Sequence, residues 1–236
     1  MRYEDVASIP YALDFDIPVS KVMCGDLFAG ILTAEGQVFT WGYNTFGQLG
    51  IKNDKTMFVR EPQRINFVDR DKAEGTPVFI KDLACGFNHC VALSDKSKVF
   101  QWGRRSGLYP NVTLHYHWLK SNKSNLEMEL NQNYPRMLKD SLMFYNIDKL
   151  KAGLYNTALI TKEKEVLLYG MNDYGQLGLG DEIGPMTPFF PNFLKHDFFT
   201  QQKLDVLDCS FTAASTHFLC RDKATGKRRV FSVGNN

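Results

Sequence analysis

The sequence has few cysteines, little excess charge and no long apolar run, and each shortage excludes a class of protein. Five cysteines among 236 residues are too few for a disulfide framework, so we expect reduced thiols in an intracellular compartment. The net charge of +2 is far below that of a protein that coats nucleic acid. Apolar runs are of strand length, below the ~20 residues of a membrane helix, and the start, MRYEDVASIP, does not resemble a signal peptide. We predict an intracellular protein without membrane association, cytoplasmic or cytoskeletal, with the nucleus as the alternative.

Motifs of catalysis and of cofactor binding are also missing from the sequence. There is no phosphate-binding glycine loop, no nucleophile elbow and no His-Glu-x-x-His motif. The spacing of Cys85, His89 and Cys90 would suit a metal site. In other copies of the chain's internal repeat, however, the position of His89 is held by Phe28 and that of Cys85 by Ala152. Such exchanges are typical of a packed core. We therefore predict that the protein is not an enzyme and has no metal or cofactor site.

A repeat of about 60 residues runs through most of the chain and is the strongest signal in it. Four stretches align, and they begin at residues 23 (MCGDLFAGILTAEGQVFTWG), 84 (ACGFNHCVALSDKSKVFQWG), 151 (KAGLYNTALITKEKEVLLYG) and 213 (AASTHFLCRDKATGKRRVFSVG). One position holds Gly25, Gly86 and Gly153, with Ala214 in the fourth stretch. A second position holds Gly42, Gly103, Gly170 and Gly234. Both positions recur at intervals of 61 and then 67 residues, so the repeat is in register from both ends.

Each repeat predicts a β-hairpin. Cys90 to Leu93 form an apolar run, Ser94 to Lys98 a polar turn, and Val99 to Trp102 a second strand-like run, which is the pattern of two short antiparallel strands. In the first and third repeats a glycine-framed turn with a central leucine follows, and its glycines are Gly47, Gly50, Gly175 and Gly178. In the fourth repeat the last interval is 64 residues, and we expect the three extra residues to lengthen only the hairpin tip.

These motifs together resemble the regulator-of-chromosome-condensation repeat over about residues 22–236. The resemblance implies an all-β fold, a seven-bladed propeller of four-stranded antiparallel blades. It also implies that His89 and His217 match the hydrogen-bonding scaffold histidine of that repeat. The expected division is a lead-in over 1–21 and repeats over 22–82, 83–149, 150–210 and 211–236, the last incomplete. Seven blades of ~60 residues need about 420 residues, so we expect about three and a half blades here, with the missing blades supplied by the same or a neighbouring chain.

Two segments depart from the repeat and are the candidate partner-binding sites, since specialisation in repeat proteins concentrates in loops. The second repeat has an enlarged loop at 104–149 that lacks the glycine-framed turn, and the fourth has a basic hairpin tip. The candidate residues are Arg104, Arg105, His115, Tyr116, His117, Trp118, Lys227, Arg228 and Arg229. Aromatic residues are enriched at interaction hot spots, and basic ones suit an acidic partner such as a tubulin tail or a nucleosome surface. The alternatives are that the aromatic residues pack the loop onto its blade and that the basic tip is merely solvated.

Three functions agree with this pattern. We predict a non-catalytic propeller scaffold for protein partners within a larger protein or assembly, for which a cytoskeletal or ciliary complex is one setting. The alternative is guanine-nucleotide exchange on a Ran-type small GTPase, which the resemblance implies through the founding member of the family. A third interpretation makes the chain a targeting part of a ubiquitin ligase or another enzyme with its catalytic domain beyond residue 236. A propeller fold by itself decides among none of them.

Overall fold

The structure is a computed structural model that describes residues 12–52, 55–69, 73, 76–104, 131–138, 142, 144–180 and 189–235. Five of the candidate partner-binding residues, Arg105, His115, Tyr116, His117 and Trp118, lie outside these ranges, and their predicted role stays a prediction.

The described residues form four antiparallel sheets that follow one another along the chain. The first contains β1 (Val19–Cys24), β2 (Phe28–Thr33), β3 (Val38–Tyr43) and β4 (Phe58–Arg64). The second contains β5 (Ile80–Cys85), β6 (His89–Ser94), β7 (Val99–Arg104) and β8 (Asn131–Met137). The third contains β9 (Ile147–Ala152), β10 (Asn156–Thr161), β11 (Val166–Met171) and β12 (Phe189–Lys195). After the short helix α1 (Asp197–Gln201), the fourth contains β13 (Leu204–Phe211), β14 (Ser215–Asp222) and β15 (Arg228–Gly234).

Each sheet is a meander in which neighbours in sequence are neighbours in space, so the predicted all-β architecture of antiparallel blades is confirmed. The first strands of successive sheets lie side by side, with β5 against β1 and β9 against β13. Strands β6, β10 and β11 are buried along their whole length, because both faces of their sheets are covered by neighbouring sheets. Strands covered on both faces need apolar residues at consecutive positions, which explains runs such as Cys90 to Leu93. No helix in the described ranges has the length and apolarity to cross a bilayer.

The core lies between the sheets, in one cluster for each successive pair. Leu32, Val38, Leu83, Phe100 and Trp102 belong to the cluster between the first and second sheets. Val91, Leu93, Leu150, Leu159 and Leu167 belong to the cluster between the second and third. Ala158, Leu177, Phe199, Val206 and Phe218 belong to the cluster between the third and fourth. Packing between successive sheets, rather than within one centre, is the arrangement expected of a radial β-repeat.

The sheets begin earlier than the predicted repeats. Their first residues are Val19, Ile80, Ile147 and Leu204, whereas the sequence motif placed the repeats at 22, 83, 150 and 211. The fourth sheet therefore includes β13, which the prediction gave to the third repeat. The predicted loop over 104–149 is also too wide, because Asn131–Met137 form β8 and pair with β7. Arg104 lies directly opposite Asn131, so the additional residues of the second repeat fall between these two.

The register of the fourth sheet corrects the alignment of its histidine. Gly103 pairs with His89, whereas Gly234 pairs with Ser215. Ser215 therefore occupies the position of His89, and the prediction that His217 does so is wrong by two residues. Thr212, not Ala214, takes the place of the glycine that precedes the second strand. Its N–H donates to the Ser215 carbonyl at 2.9 Å, as that of Gly86 donates to His89 at 2.8 Å.

The hairpin of the fourth sheet is longer than the others in its strands as well as in its turn. In the first sheet the pairing ends at Leu32 opposite Val38, four residues beyond Phe28. In the fourth it continues to Arg221 opposite Arg228, six residues beyond Ser215. The expectation that the extra residues lengthen only the tip is thus wrong, because each strand gains two paired residues.

Cys85 and Cys90 form a disulfide across β5 and β6, which corrects the expectation that all five cysteines are thiols. The two residues are directly opposite in the register, and their Cα atoms are 4.2 Å apart. Opposed residues at non-hydrogen-bonded positions of an antiparallel pair approach to about 4.5 Å, which brings their side chains together. Cys24, Cys209 and Cys220 are free cysteines.

Candidate functional site

The two glycine-framed turns have the same internal hydrogen bonds. In the first, the Asn44 side-chain oxygen accepts the Leu49 N–H at 3.0 Å and the Gln48 side-chain oxygen accepts the Phe46 N–H at 2.8 Å. Asn172 and Gln176 repeat both bonds in the second turn, at 2.9 Å each. The central leucines, Leu49 and Leu177, are completely buried, so each anchors its turn in the core.

Each turn is bonded to the next sheet through a glutamine carbonyl. The Gln48 carbonyl accepts the indole N–H of Trp102 at 3.0 Å, and the Gln176 carbonyl accepts the Thr216 hydroxyl at 2.6 Å. Gly50 has a positive φ of 67°, and a Cβ there would lie 2.8 Å from the Trp102 ring. Glycine is needed at this position both for its backbone conformation and for the close approach of the indole. The turns therefore fix successive blades to one another.

His89 joins the second and third sheets. Its Nε2 lies 3.0 Å from the Thr157 hydroxyl oxygen, and both side chains are buried. Burial lowers the pKa of His89 to about 4, because the interior disfavours the charged imidazolium. His217, by contrast, contacts two hydroxyls of its own sheet, Ser215 and Ser232. His89 is thus a neutral contact between blades, and His217 lies within one blade.

The residues with metal-like spacing are engaged in scaffold contacts. Cys85 and Cys90 are bonded to each other, and His89 faces Thr157. Within the described ranges, no three His, Cys, Asp or Glu side chains are grouped so that they could hold a metal ion.

One end of the blades carries the loops between the first and second strands, and these loops are bonded in series. The Asp26 N–H donates to the Phe87 carbonyl at 3.0 Å, and the Phe87 N–H donates to the Leu154 carbonyl at 3.0 Å. Leu27 is 55% exposed and Leu154 is 38% exposed. The Phe87 ring lies 5.6 Å from that of Tyr155. Leu27, Phe87, Leu154 and Tyr155 are called the loop-end patch below; no single motif predicted it, because its members come from three repeats.

Arg104 lies at the same end, since its N–H donates to the carbonyl of Asn88, which follows Phe87. Its guanidinium carbon is 4.8 Å from the centre of the Phe46 ring, a cation–π distance. Partial burial lowers the pKa of Arg104, and Tyr155 acts in the opposite direction. Arg104, which the sequence marked as a partner-binding residue, is therefore half-buried against the glycine-framed turn of the first blade and borders the loop-end patch.

The basic tip lies at the opposite end. Lys227, Arg228 and Arg229 are all exposed, and none forms an ion pair with any residue in the described ranges. The neighbouring Arg221 and Lys223 both reach the carboxylate of Asp205, at 2.7 Å and 3.5 Å. The two candidate sites that fall in the described ranges are therefore at opposite ends of the blades and do not form a single surface.

Comparison with known proteins agrees with the repeat. Two matches to the regulator of chromosome condensation (RCC1) repeat cover residues 35–93 and 19–48. The human probable E3 ubiquitin-protein ligase HERC4 is 31% identical over 185 residues, which are 74% of this chain and 15% of HERC4. The ultraviolet-B receptor UVR8 of Arabidopsis thaliana is 25% identical over 174 residues, 72% of this chain and 33% of the receptor. The chain thus spans a third or less of these relatives.

Solved structures give the same fold. Human WBSCR16 superimposes with a TM-score of 0.66 at 20% identity over 95% of this chain and 50% of that one. Prp20p of Saccharomyces cerevisiae, described with its binding properties to Gsp1p and histones, gives 0.62 at 17% identity over 92% and 44%. The sheets, their glycine-framed turns and these likenesses identify the chain as an RCC1-type repeat β-propeller.

Proposed function

We propose that the chain is a non-catalytic propeller that binds another protein through the loop-end patch. The observation that carries this proposal is that three successive loops are hydrogen-bonded to one another while Leu27 and Leu154 stay exposed. A backbone that is already ordered loses little conformational entropy on binding, and tyrosine and arginine, present here as Tyr155 and the adjoining Arg104, are enriched among the residues that carry binding energy at protein interfaces.

The same patch borders the segment in which the second repeat exceeds the others. Arg104 and Asn131 flank that segment and lie opposite each other, close to Phe87 through the Arg104–Asn88 bond. Residues 105–130, which include the aromatic candidates His115 to Trp118, lie outside the described ranges, and their part in partner binding stays a prediction from the sequence. The proposed setting is an intracellular assembly, in which the propeller serves as the partner-binding part.

The proposal is tested by comparative capture of partners. The double variant Leu27→Asp, Leu154→Asp places two charges on the patch, and Lys96→Gln, Lys162→Gln serves as a control at the opposite end. We expect quantitative mass spectrometry to find at least one protein that the wild type and the control retain and the double variant loses, with all three chains melting at similar temperatures. Identical sets of retained proteins would overturn the proposal.

Nucleotide exchange is the competing function, and it has its own assay. The purified chain is added to a Ran-type GTPase loaded with fluorescent GDP, and GDP release is followed over time. We expect release at the background rate. Stimulation well above background that the Leu27→Asp, Leu154→Asp variant loses would assign exchange to the loop-end patch and overturn the scaffold proposal.

A further inference from the structure

The basic tip extends beyond the point at which the outermost strand of a blade ends. In the first three sheets the residue that follows this strand donates to a valine carbonyl, through Ile65 to Val38 at 3.0 Å, Leu138 to Val99 at 2.8 Å and His196 to Val166 at 2.9 Å. Each of these valines stands four residues before the glycine that ends its hairpin. In the fourth sheet Val230 stands four residues before Gly234 and so occupies the same position. A fourth strand of the same reach would therefore leave residues 227–229 uncovered.

None of the three cations at this tip forms an ion pair in the described ranges, although Arg229 lies close enough to Asp222 to help lower the pKa of that carboxyl. Asp205 is occupied by Arg221 and Lys223. Asp222 accepts the N–H groups of Ala224 and Thr225 at 3.0 and 2.8 Å, and the bonds from Thr225 lower its pKa. Both carboxylates thus hold the hairpin in place, while Lys227, Arg228 and Arg229 remain available to a ligand.

Arg228 and Arg229 are held on the paired strand β15, and Lys227 directly precedes that strand, where its carbonyl accepts the Asp222 N–H at 2.9 Å. Arg228 lies opposite Arg221, and Arg229 opposite Cys220. Successive side chains on an extended strand point to opposite sides, so Arg228 and Arg229 place their charges on the two sides of β15, with Lys227 next to them in the chain. A partner that pairs with all three cations carries several carboxylates close together along its chain.

We propose that the tip, residues 221–229, binds an acidic protein segment through Lys227, Arg228 and Arg229. A nucleic acid fits less well, because a net charge of +2 and three free cations neutralise few phosphates, and no aromatic residue occurs between Arg221 and Arg229 on which a base could stack. The site belongs to the proposed interaction module but lies at the opposite end from the loop-end patch, so either surface can fail alone.

The test uses fluorescence polarisation with a labelled peptide of eight glutamates as the probe. The variant Lys227→Gln, Arg228→Gln, Arg229→Gln is compared with Lys52→Gln, Lys96→Gln, Lys162→Gln, which removes the same charge from other exposed positions. We expect the tip variant to bind the peptide about tenfold more weakly than the wild type, given the usual energies of exposed ion pairs, and the control variant less than about threefold more weakly. Binding should also weaken as salt rises, since exposed charges are screened.

Two outcomes overturn the proposal. Equal losses in the tip and control variants would show that only overall charge matters. Tighter binding of a single-stranded DNA of the same charge, lost in the tip variant, would assign the tip to nucleic acid instead. The Leu27→Asp, Leu154→Asp variant should bind the glutamate peptide as the wild type does, which separates failure of the loop-end patch from failure of the tip.

Discussion

The carbonyl of Gln48 in the first glycine-framed turn accepts the indole N–H of Trp102 in the second sheet at 3.0 Å. This bond joins two successive blades, and the indole is completely buried. The Trp102 ring also covers Gly50, whose missing Cβ makes the approach possible. The glycine-framed turn thus attaches the first blade to the second.

Replacement of Trp102 by phenylalanine should destabilise the protein by about 2 kcal/mol. The change leaves the Gln48 carbonyl buried without its donor and removes part of a packed ring. Urea unfolding measures the loss. Trp41→Phe is the matched control, because Trp41 is only half-buried; an equal loss in the two variants would show that the bond to Gln48 contributes nothing.

Replacement of Ala214 by asparagine should stabilise the fourth sheet by about 1 kcal/mol. The Gln48 side-chain nitrogen lies 3.5 Å from the Asn88 side-chain oxygen, whereas the buried nitrogen of Gln176 has no hydrogen-bond partner in the described ranges. Ala214 occupies the position of Asn88. The Asn88 carbonyl accepts the N–H of Arg104, which follows Gly103, and the Ala214 carbonyl accepts the N–H of Asn235, which follows Gly234. The gain should vanish when Gln176→Met is also present; an unchanged gain would refute the proposed pairing.

Acid should weaken the protein through His89. The pKa of His89 is lowered to about 4 in the folded state, below the ~6.5 of an unfolded histidine, so the unfolded state takes up a proton first as the pH falls. The His89 contribution is therefore complete above pH ~6.5 and is lost progressively between about pH 6.5 and 4, by about 3 kcal/mol in total. His89→Phe, which introduces the residue found at the equivalent position of the first sheet, Phe28, should flatten this part of the stability profile. Parallel profiles for the two proteins would contradict the lowered pKa.

The cysteines should react in three groups. Cys24 is exposed and should alkylate rapidly at pH ~8 in the folded protein. Burial raises the pKa of Cys209 to about 12 and that of Cys220 to about 11, so both should react only after unfolding. Cys85 and Cys90 should need a reductant as well. Mass spectrometry counts the labels, and five labels after unfolding without reductant would exclude the disulfide.

The hairpins and the glycine-framed turns could be predicted because their residues stand in fixed local patterns. Gly42, Gly103 and Gly170 each end a strand pair, and Leu49 and Leu177 each anchor a turn. The sequence placed the start of each repeat about three residues or more after the true start of its first strand, because strands such as Ile80–Cys85 are only partly buried and were not included in the repeat motif. The sequence pattern did not reveal the register of the fourth sheet. His217 is a histidine like His89, but the residue that lies opposite Gly234, as His89 lies opposite Gly103, is Ser215.

Features that depend on contacts across the fold could not be predicted from the sequence. The Cys85–Cys90 disulfide depends on the register of β5 against β6, and the strand β5 itself was only partly recognised. The loop-end patch draws Leu27, Phe87 and Leu154 from three repeats, and only the hydrogen bonds between their loops bring them together. The sequence showed the basic tip as a run of cations. Only the pairing of Arg221 with Arg228 in the structure shows that the tip extends beyond the reach of an outer strand.

Amide hydrogen exchange on the chain, free and bound to a captured partner protein, shows directly whether the partner sits on the loop-end patch. We expect the Asp26 and Phe87 amides to be protected already in the free chain, because both are hydrogen-bonded. We further expect the partner to add protection over residues 24–28, 85–90 and 152–156 and to leave 196–203 unchanged. Added protection confined to residues outside those three loops, or none at all, would contradict the assignment of the loop-end patch as the protein-binding surface.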